Sequence, residues 1–299
     1  MIEKIIIVGG GSAGWMSAAT LIKAFPFKDI TVIESPDTPT VGVGESTIGS
    51  INDWLNFLEL DDKDWMPYVG ASYKLAIKFT GFYNGKDSFY YPFGFPYPPY
   101  IDNDTRNKWY IKKHLQKCKP SDYAECISPQ IALVNTNKMA KEFDSFNYHK
   151  DAAYHFDAGL FANYLKMNYC MPRGVKHIEE NIDEIKTNEN GIVALNNKYS
   201  ADLFLDCTGF KSMLMKEVNG EFINMNHILP NDSAWSTKLE YTDKEKQLEP
   251  YTNCTAISNG WVWNIPQWDK IGTGYVYSSK YIDDDEAKQE FHNYLGRPE

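Results

Sequence analysis

Apolar residues in this chain fall into short β-branched runs broken by glycine and proline, separated by stretches whose apolar positions recur at helical spacing. Ile5 to Val8 is the first run. It breaks at Gly9, Gly11 and Gly14, and Trp15, Met16, Ala18, Ala19, Leu21 and Ile22 follow with helical periodicity, which predicts a strand, a glycine turn and a helix. Ile30 to Ile33 predicts a second strand, ending in Glu34, and Ser35 to Thr47 is a loop punctuated by proline and glycine. Ile48, Ile51, Leu55 and Leu58 predict a helix to Leu60 that the acidic stretch Asp61 to Asp64 ends.

Ser72 to Phe82 alternates as one strand, with Lys74, Ala76 and Lys78 on one face and Tyr73, Leu75, Ile77 and Phe79 on the other. From the residues alone, a solvated face is the favoured reading of those lysines and a functional lysine the lesser one. Residues 82 to 100 interleave aromatics (Phe89, Tyr90, Tyr91, Phe93, Phe95, Tyr97, Tyr100) with Pro92, Pro96, Pro98 and Pro99. So much proline excludes a helix or a central strand and predicts an ordered loop, either covering a pocket or packed on its own domain.

Residues 105 to 170 read as mostly helical, Phe161, Tyr164, Leu165 and Met167 forming one apolar face. Gly174 to Ile185 and Gly191 to Leu195 predict two strands turned by Asn188 to Gly191, and Ala201 to Leu205 a buried strand running into Asp206-Cys-Thr-Gly-Phe210. Long strands are predicted over Ala234 to Tyr241, Cys254 to Ile265 and Ile271 to Tyr277, and a helix over Asp283 to Tyr294 that stops at Gly296.

The glycine turn carries the first chemistry. Gly9 permits a sharp turn, Gly11 lets backbone approach a pyrophosphate, Gly14 lets helix and strand pack closely, and an acidic residue ending the next strand, here Glu34, suits ribose hydroxyls. The bland alternative is a structural turn in an α/β domain.

Composition narrows the partners. The 299 residues carry a formal net charge of −10, which does not resemble a basic nucleic-acid footprint. The aromatic content of 15% is high and hints at a pocket for flat molecules, although a tyrosine-rich surface explains it about as well. The 5 cysteines include no C-x-x-C pair, which points to a reducing, cytoplasmic compartment, and the residues predict neither export nor membrane spanning.

Several stretches together resemble the flavin-dependent halogenases, in particular the tryptophan halogenase branch: Gly9-Gly-Gly-Ser-Ala-Gly-Trp15-Met, Pro39-Thr-Val-Gly-Val-Gly-Glu-Ser-Thr47, Ala71-Ser-Tyr-Lys-Leu-Ala-Ile-Lys-Phe79, Tyr154-His-Phe-Asp-Ala158, Asp202-Leu-Phe-Leu-Asp-Cys-Thr-Gly-Phe210, Asn231-Asp-Ser-Ala, Trp261-Val-Trp-Asn-Ile-Pro266 and Gly272-Thr-Gly-Tyr-Val-Tyr-Ser-Ser279. They span essentially the whole chain, and W-x-W-x-I-P is the most discriminating.

The resemblance implies an FAD-binding, Rossmann-like α/β fold of the flavin-monooxygenase type with an added antiparallel β-sheet and a helical substrate region. FAD-binding segments would cover 1–50 and 175–215, and substrate-side segments 70–170 and 228–280. It implies FADH2, O2 and halide as inputs, hypohalous acid crossing a short tunnel to a small aromatic substrate, and a separate flavin reductase. Lys74 matches the family's essential lysine, which overturns the solvated reading for that residue. Gly9, Gly11, Ser12, Ala13 and Gly14 would meet the pyrophosphate, Glu34 the ribose and Ile182 the adenine. Val43, Gly44, Glu45 and Ser46 would approach the isoalloxazine. Tyr91, Phe93 and Gly94 would line the substrate pocket, where Tyr91 stands in a stretch that carries histidine in tryptophan halogenases. Trp261 and Trp263 would form the tunnel wall.

The family runs longer than this chain, and its partner glutamate and halide site have no counterpart in these residues. A fragment, a short form completed by another chain, and a remnant without halogenating activity are the corresponding readings, and a homo-oligomer or a completing chain is the expected assembly partner. Beside the halogenase stand two alternatives, a flavin-dependent oxygenase and a non-catalytic flavin-binding subunit.

Overall fold

The computed structural model describes residues 2–38, 42–43, 45–94, 103–140, 142–143, 146–218 and 220–296. They divide into two compact units, one of Met1–Val43, Phe57–Val69 and Asp157–Ile223, the other of Gly44–Asn56, Gly70–Phe156 and Asn224–Glu299.

The first unit is built on a parallel sheet of Lys4–Val8, Asp29–Glu34, Lys176–Glu179 and Leu203–Asp206. Numbered along the chain, these lie in the spatial order 3-2-1-4, the order of Rossmann-like nucleotide-binding sheets. Ile5 to Val8 and Ile30 to Ile33 are buried on both faces, as continuous apolar runs in a parallel sheet require. The helix Ser12–Ala24 lies against the first strand through Gly14, where a Cβ would come 1.9 Å from the Gly9 carbonyl oxygen. Gly9 has φ +113°, and a Cβ there would sit 2.2 Å from the Cys207 carbonyl oxygen, so only glycine fits the turn.

Several expectations change in this unit. Gly174 to Ile185 is not one strand: Lys176–Glu179 joins the parallel sheet, and Ile185–Asn188 leaves it to form a hairpin with Gly191–Leu195. Leu203–Asp206 is an edge strand and only half-buried, because it has one neighbour. Asp61 does more than end a helix, since its carboxylate accepts from the Lys63 amide and caps the short helix Asp62–Trp65. Met167 falls outside the apolar face: the helix Ala158–Tyr164 widens into a π-helical turn at Leu165–Cys170, which rotates Met167 outward while Phe161, Tyr164 and Leu165 stay buried.

The second unit carries a six-stranded sheet in the order Ser233–Leu239, Ile271–Tyr277, Gly260–Pro266, Tyr251–Ile257, Ala76–Thr80 and Ser88–Pro92. It is antiparallel except where Tyr251–Ile257 pairs parallel with Ala76–Thr80. The run from Cys254 to Ile265 is therefore two strands of a hairpin, turning at Ser258 and Asn259. Ser88–Pro92 is an edge strand inside the aromatic segment, with proline at its last position, where a missing N–H is tolerated. The rest of that segment, residues 95–100, lies outside the described residues.

The alternation from Ser72 to Phe82 also breaks. Ser72–Lys74 pairs with Ala153–His155 in a small sheet of its own, and Ala76–Thr80 belongs to the large one. Leu75 makes the joint, its N–H donating to the Pro250 carbonyl at 2.7 Å and its carbonyl accepting from the Phe93 N–H at 2.9 Å. Leu75 is packed with Ala76, Ala124, Ile131, Val134, Phe146, Ala152 and Tyr251 in the unit's core. The residues from 105 to 156 are less helical than expected, because Glu142–Phe143, Phe146–Asn147 and Ala153–His155 are extended.

Trp261 and Trp263 share one strand face with ring centroids 6.2 Å apart. Opposite Trp263 is Gly274, where a Cβ would lie 2.2 Å from two indole carbons and 2.5 Å from the Trp235 carbonyl oxygen. Gly274→Ala should accordingly destabilise the chain by about 2 kcal/mol or more, because neither the buried ring nor the backbone can yield. A lower urea midpoint at unchanged slope is the expected result.

Candidate functional site

In the first unit a cavity of about 390 Å³ opens at the carboxyl end of the parallel sheet, within the range of small-ligand pockets. Gly9, Gly11, Ser12 and Ala13 line it from the turn, Glu34 from the end of the second strand, and Ile182 from the segment after the third. The helix Ser12–Ala24 has Gly11 at its N-cap and no side-chain cap, so its first N–H groups are presented to a ligand with the positive end of the helix dipole. Gly14 does not line the cavity; its contact is with Gly9, behind the turn.

Glu34 is held in place. Its Oε2 accepts from His177 Nε2 at 2.8 Å and from Lys166 Nζ at 3.3 Å, and its side chain folds over Gly10, where a Cβ would meet it at 2.2 Å. Both contacts use Oε2, which leaves Oε1 able to accept from a ligand hydroxyl. The turn after the fourth strand contributes Cys207, Thr208 and Gly209, while Asp206 accepts from the Leu214 and Met215 amides and so anchors the following helix. Lys211 also lines the cavity and donates to Thr38 Oγ1 at 3.1 Å. Sequence reasoning missed Lys211, because a lysine just past a glycine turn carries no motif. An uncapped helix start, a glycine turn with no room for side chains, one cation and a carboxylate at the next strand end together fit a nucleotide pyrophosphate.

In the second unit Lys74 is 2% exposed. Its Nζ donates to Ser46 Oγ and to the Thr47 carbonyl, each at 2.8 Å, and lies 4.9 Å from the centre of the Phe93 ring. Both acceptors are neutral. Burial therefore lowers the amine from its ordinary value of 10.5 to about 8. Ser46 Oγ is 3.0 Å from Thr252 Oγ1, which is 2.8 Å from Nε2 of the fully buried His155. Burial, then the Lys74 charge, pushes His155 down to about 3, so its ring is neutral. Cys254 is buried beside Lys74, and burial lifts its thiol to about 11. His155 and Thr252 were also missed, although His155 stands inside the Tyr154-His-Phe-Asp stretch.

Val43 is exposed and does not line the first unit's cavity, and Gly44 lies outside the described residues. Glu45 is buried, its carbonyl accepting from the Phe156 N–H at 3.0 Å, and Gly272 makes room for its carboxylate. Ser46 is placed at Lys74. Of the aromatic-segment residues, Phe93 is buried against Lys74, whereas Tyr91 is 61% exposed on the edge strand. Gly94 has φ +78° and packs against Asp151. Among the described residues no helix is long and apolar enough to cross a membrane.

A family model described as tryptophan halogenase matches residues 4–299. Tryptophan 7-halogenase RebH of Lentzea aerocolonigenes is 37% identical, over 97% of this chain and 58% of its own length. Tryptophan 6-halogenase SttH of Streptomyces toxytricini is 34% identical, over 98% of this chain and 61% of its own. The apo structure of VirX1 superposes with a TM-score of 0.91 at 40% identity, covering 99% of this chain and 59% of that one. The chain thus spans about three fifths of the length of these relatives.

A buried amine leaves a mark on stability. The unfolded lysine has the ordinary value of 10.5 and the folded one about 8, so between those values the unfolded chain binds more protons and stability rises with pH. Below about pH 8 the full penalty, on the order of 3 kcal/mol, is imposed. Lys74→Met should remove that pH dependence, so that denaturant melts find the variant gaining on the wild type at pH 6 and losing that gain by pH 10.

Proposed function

The chain belongs to the tryptophan halogenase family, and from that premise we propose that it binds FAD and directs an oxidised halogen through Lys74 to a small aromatic substrate. The observation that carries this reading is the Lys74 amine, buried, held by two neutral acceptors and shifted to about 8. With that value about a tenth of the amine is neutral at pH 7, far more than for an ordinary lysine, and the neutral form offers a lone pair to an electrophile where ammonium offers none.

When bound, reduced FAD would supply the oxidation of halide by O2 to hypohalous acid. This chain's residues supply the holding. The turn Gly9 to Ala13 would take the pyrophosphate on backbone N–H groups, with Gly14 behind it and Lys211 adding positive charge. Glu34 would accept from ribose hydroxyls through Oε1 while His177 and Lys166 hold Oε2. Ile182 would meet the adenine. Val43, Gly44 and Glu45 belong to the loop proposed for the isoalloxazine, and Ser46, which shares that loop, is a partner of the lysine. Lys74 would hold the halogen by hydrogen bond or capture it as a haloamine, and fixing it beside one ring carbon would convert an indiscriminate reagent into a selective one. Phe93 would form one wall for the substrate, with Tyr91 and Gly94 further along the same segment, and Trp261 and Trp263 would shield it. Tryptophan, other indoles and phenols are the substrate class, with FADH2 delivered by a separate reductase.

The test supplies the chain with a flavin reductase, NADH, FAD, bromide and indole. Bromoindole is the expected product, and Lys74→Ala should lower its formation by a hundredfold or more, on the order of the loss of one positioned catalytic group, while FADH2 oxidation continues. Hydroxylated indole alone would indicate the oxygenase. FAD binding with no halide-dependent product would indicate a flavin-binding subunit.

A further inference from the structure

A row of hydrogen-bonding side chains runs inward from Lys74, and a carbonyl at its far end fixes its direction. His155 Nδ1 lies 3.0 Å from the Pro266 carbonyl oxygen, which can only accept, so Nδ1 carries the hydrogen. Ser72 Oγ donates to the same carbonyl at 2.5 Å. A neutral ring protonated at Nδ1 has an acceptor at Nε2, which makes Thr252 the donor across their 2.8 Å contact. Having given up its hydrogen, Thr252 Oγ1 accepts from Ser46 Oγ at 3.0 Å, and Ser46 Oγ in turn accepts from Lys74 Nζ.

The second acceptor on Lys74 is equally fixed. Thr47 is tied to Tyr154 by its N–H and by its hydroxyl, each donating to the Tyr154 carbonyl at 3.0 Å, and the Tyr154 N–H donates back to Thr47 Oγ1 at 2.9 Å. A neutral amine has two N–H bonds. Ser46 Oγ and the Thr47 carbonyl take both, and the lone pair is left to point elsewhere.

We propose that Thr252 and His155 are positioning residues for Lys74: by drawing the Ser46 hydroxyl hydrogen inward, they keep Ser46 an acceptor and leave the amine lone pair for an electrophilic halogen. The identity of that electrophile rests on the proposed function, whereas the direction of the hydrogen bonds rests on the geometry and on the neutral ring of the fully buried His155. Without the Thr252 hydroxyl, the Ser46 hydrogen loses its inward acceptor and turns to the Lys74 nitrogen 2.8 Å away. It then occupies the lone pair and stabilises the neutral amine.

The sign separates this role from simple packing. An occupied lone pair moves the Lys74 titration to lower pH, while loosened packing admits water and moves it up toward 10.5. The other titratable groups acting on the amine are Cys254, whose thiol burial keeps neutral, and His155, which also stays neutral, so neither reverses that sign.

The experiment is 13C NMR of the 299-residue chain labelled at lysine Cε, with the Lys74 signal assigned by its loss in Lys74→Met. The wild-type midpoint is expected near 8, the Thr252→Val midpoint below it, and the Thr252→Ser midpoint back at the wild-type position. An unchanged or higher midpoint in Thr252→Val overturns the proposal. 15N NMR of wild-type histidines gives a second decision that needs no variant: His155 must be protonated at Nδ1 and accept at Nε2, and the opposite tautomer overturns the proposal. Neither measurement uses flavin, halide or substrate. Absence of bromoindole beside the expected spectra therefore sinks the proposed function alone, and bromoindole beside the wrong tautomer sinks the network alone.

Discussion

An amine removed from water must either find a counter-charge or give up its proton readily, and Lys74 takes the second course. Its two acceptors are neutral oxygens held in place by their own hydrogen bonds, so its position is secured without the carboxylate that would pin it in the charged form. The arrangement requires a strand that stops immediately after the lysine. Had the alternation run unbroken from Ser72 to Phe82, Lys74 and Lys78 would share a face; the joint at Leu75 sends Lys74 into the small sheet with Ala153–His155 and leaves Lys78 to the large one.

The first unit meets a different constraint, the close approach of backbone to backbone. Gly9 against Cys207, and Gly14 against Gly9, leave no space for a Cβ. The first turn of the helix is consequently uncovered where the sheet ends. An anion meets N–H groups there and not side chains. Glu34 and Lys211, of opposite charge, both line the same cavity.

Much of the first unit was legible along the chain. Local rules govern a strand, a glycine turn and a helix: apolar periodicity marks the elements and the need for positive φ marks Gly9. The second unit was legible only in outline. Proline in the aromatic segment excluded a central strand and predicted a loop, yet an edge position tolerates Pro92 at the end of Ser88–Pro92. The apolar run through Cys254 to Ile265 hid a hairpin, although its turn, Ser258-Asn259-Gly260, carries an asparagine-glycine pair: Gly260 pairs with Ile257 across the turn, and the apolar residues on either side read as one strand.

By itself the sequence determined the glycine turn, the acidic end of the second strand, and the motifs that mark the family, since each is a property of neighbouring residues. Only the tertiary structure decided which lysine is buried and what surrounds it. Ser46, Lys74, His155, Thr252 and Pro266 are far apart along the chain, and hydrogen bonds among them form only once the small sheet and the Tyr251–Ile257 strand have been brought together. Spacing along a chain carries no record of such distant contacts, and so the direction of the network is set only in the folded chain.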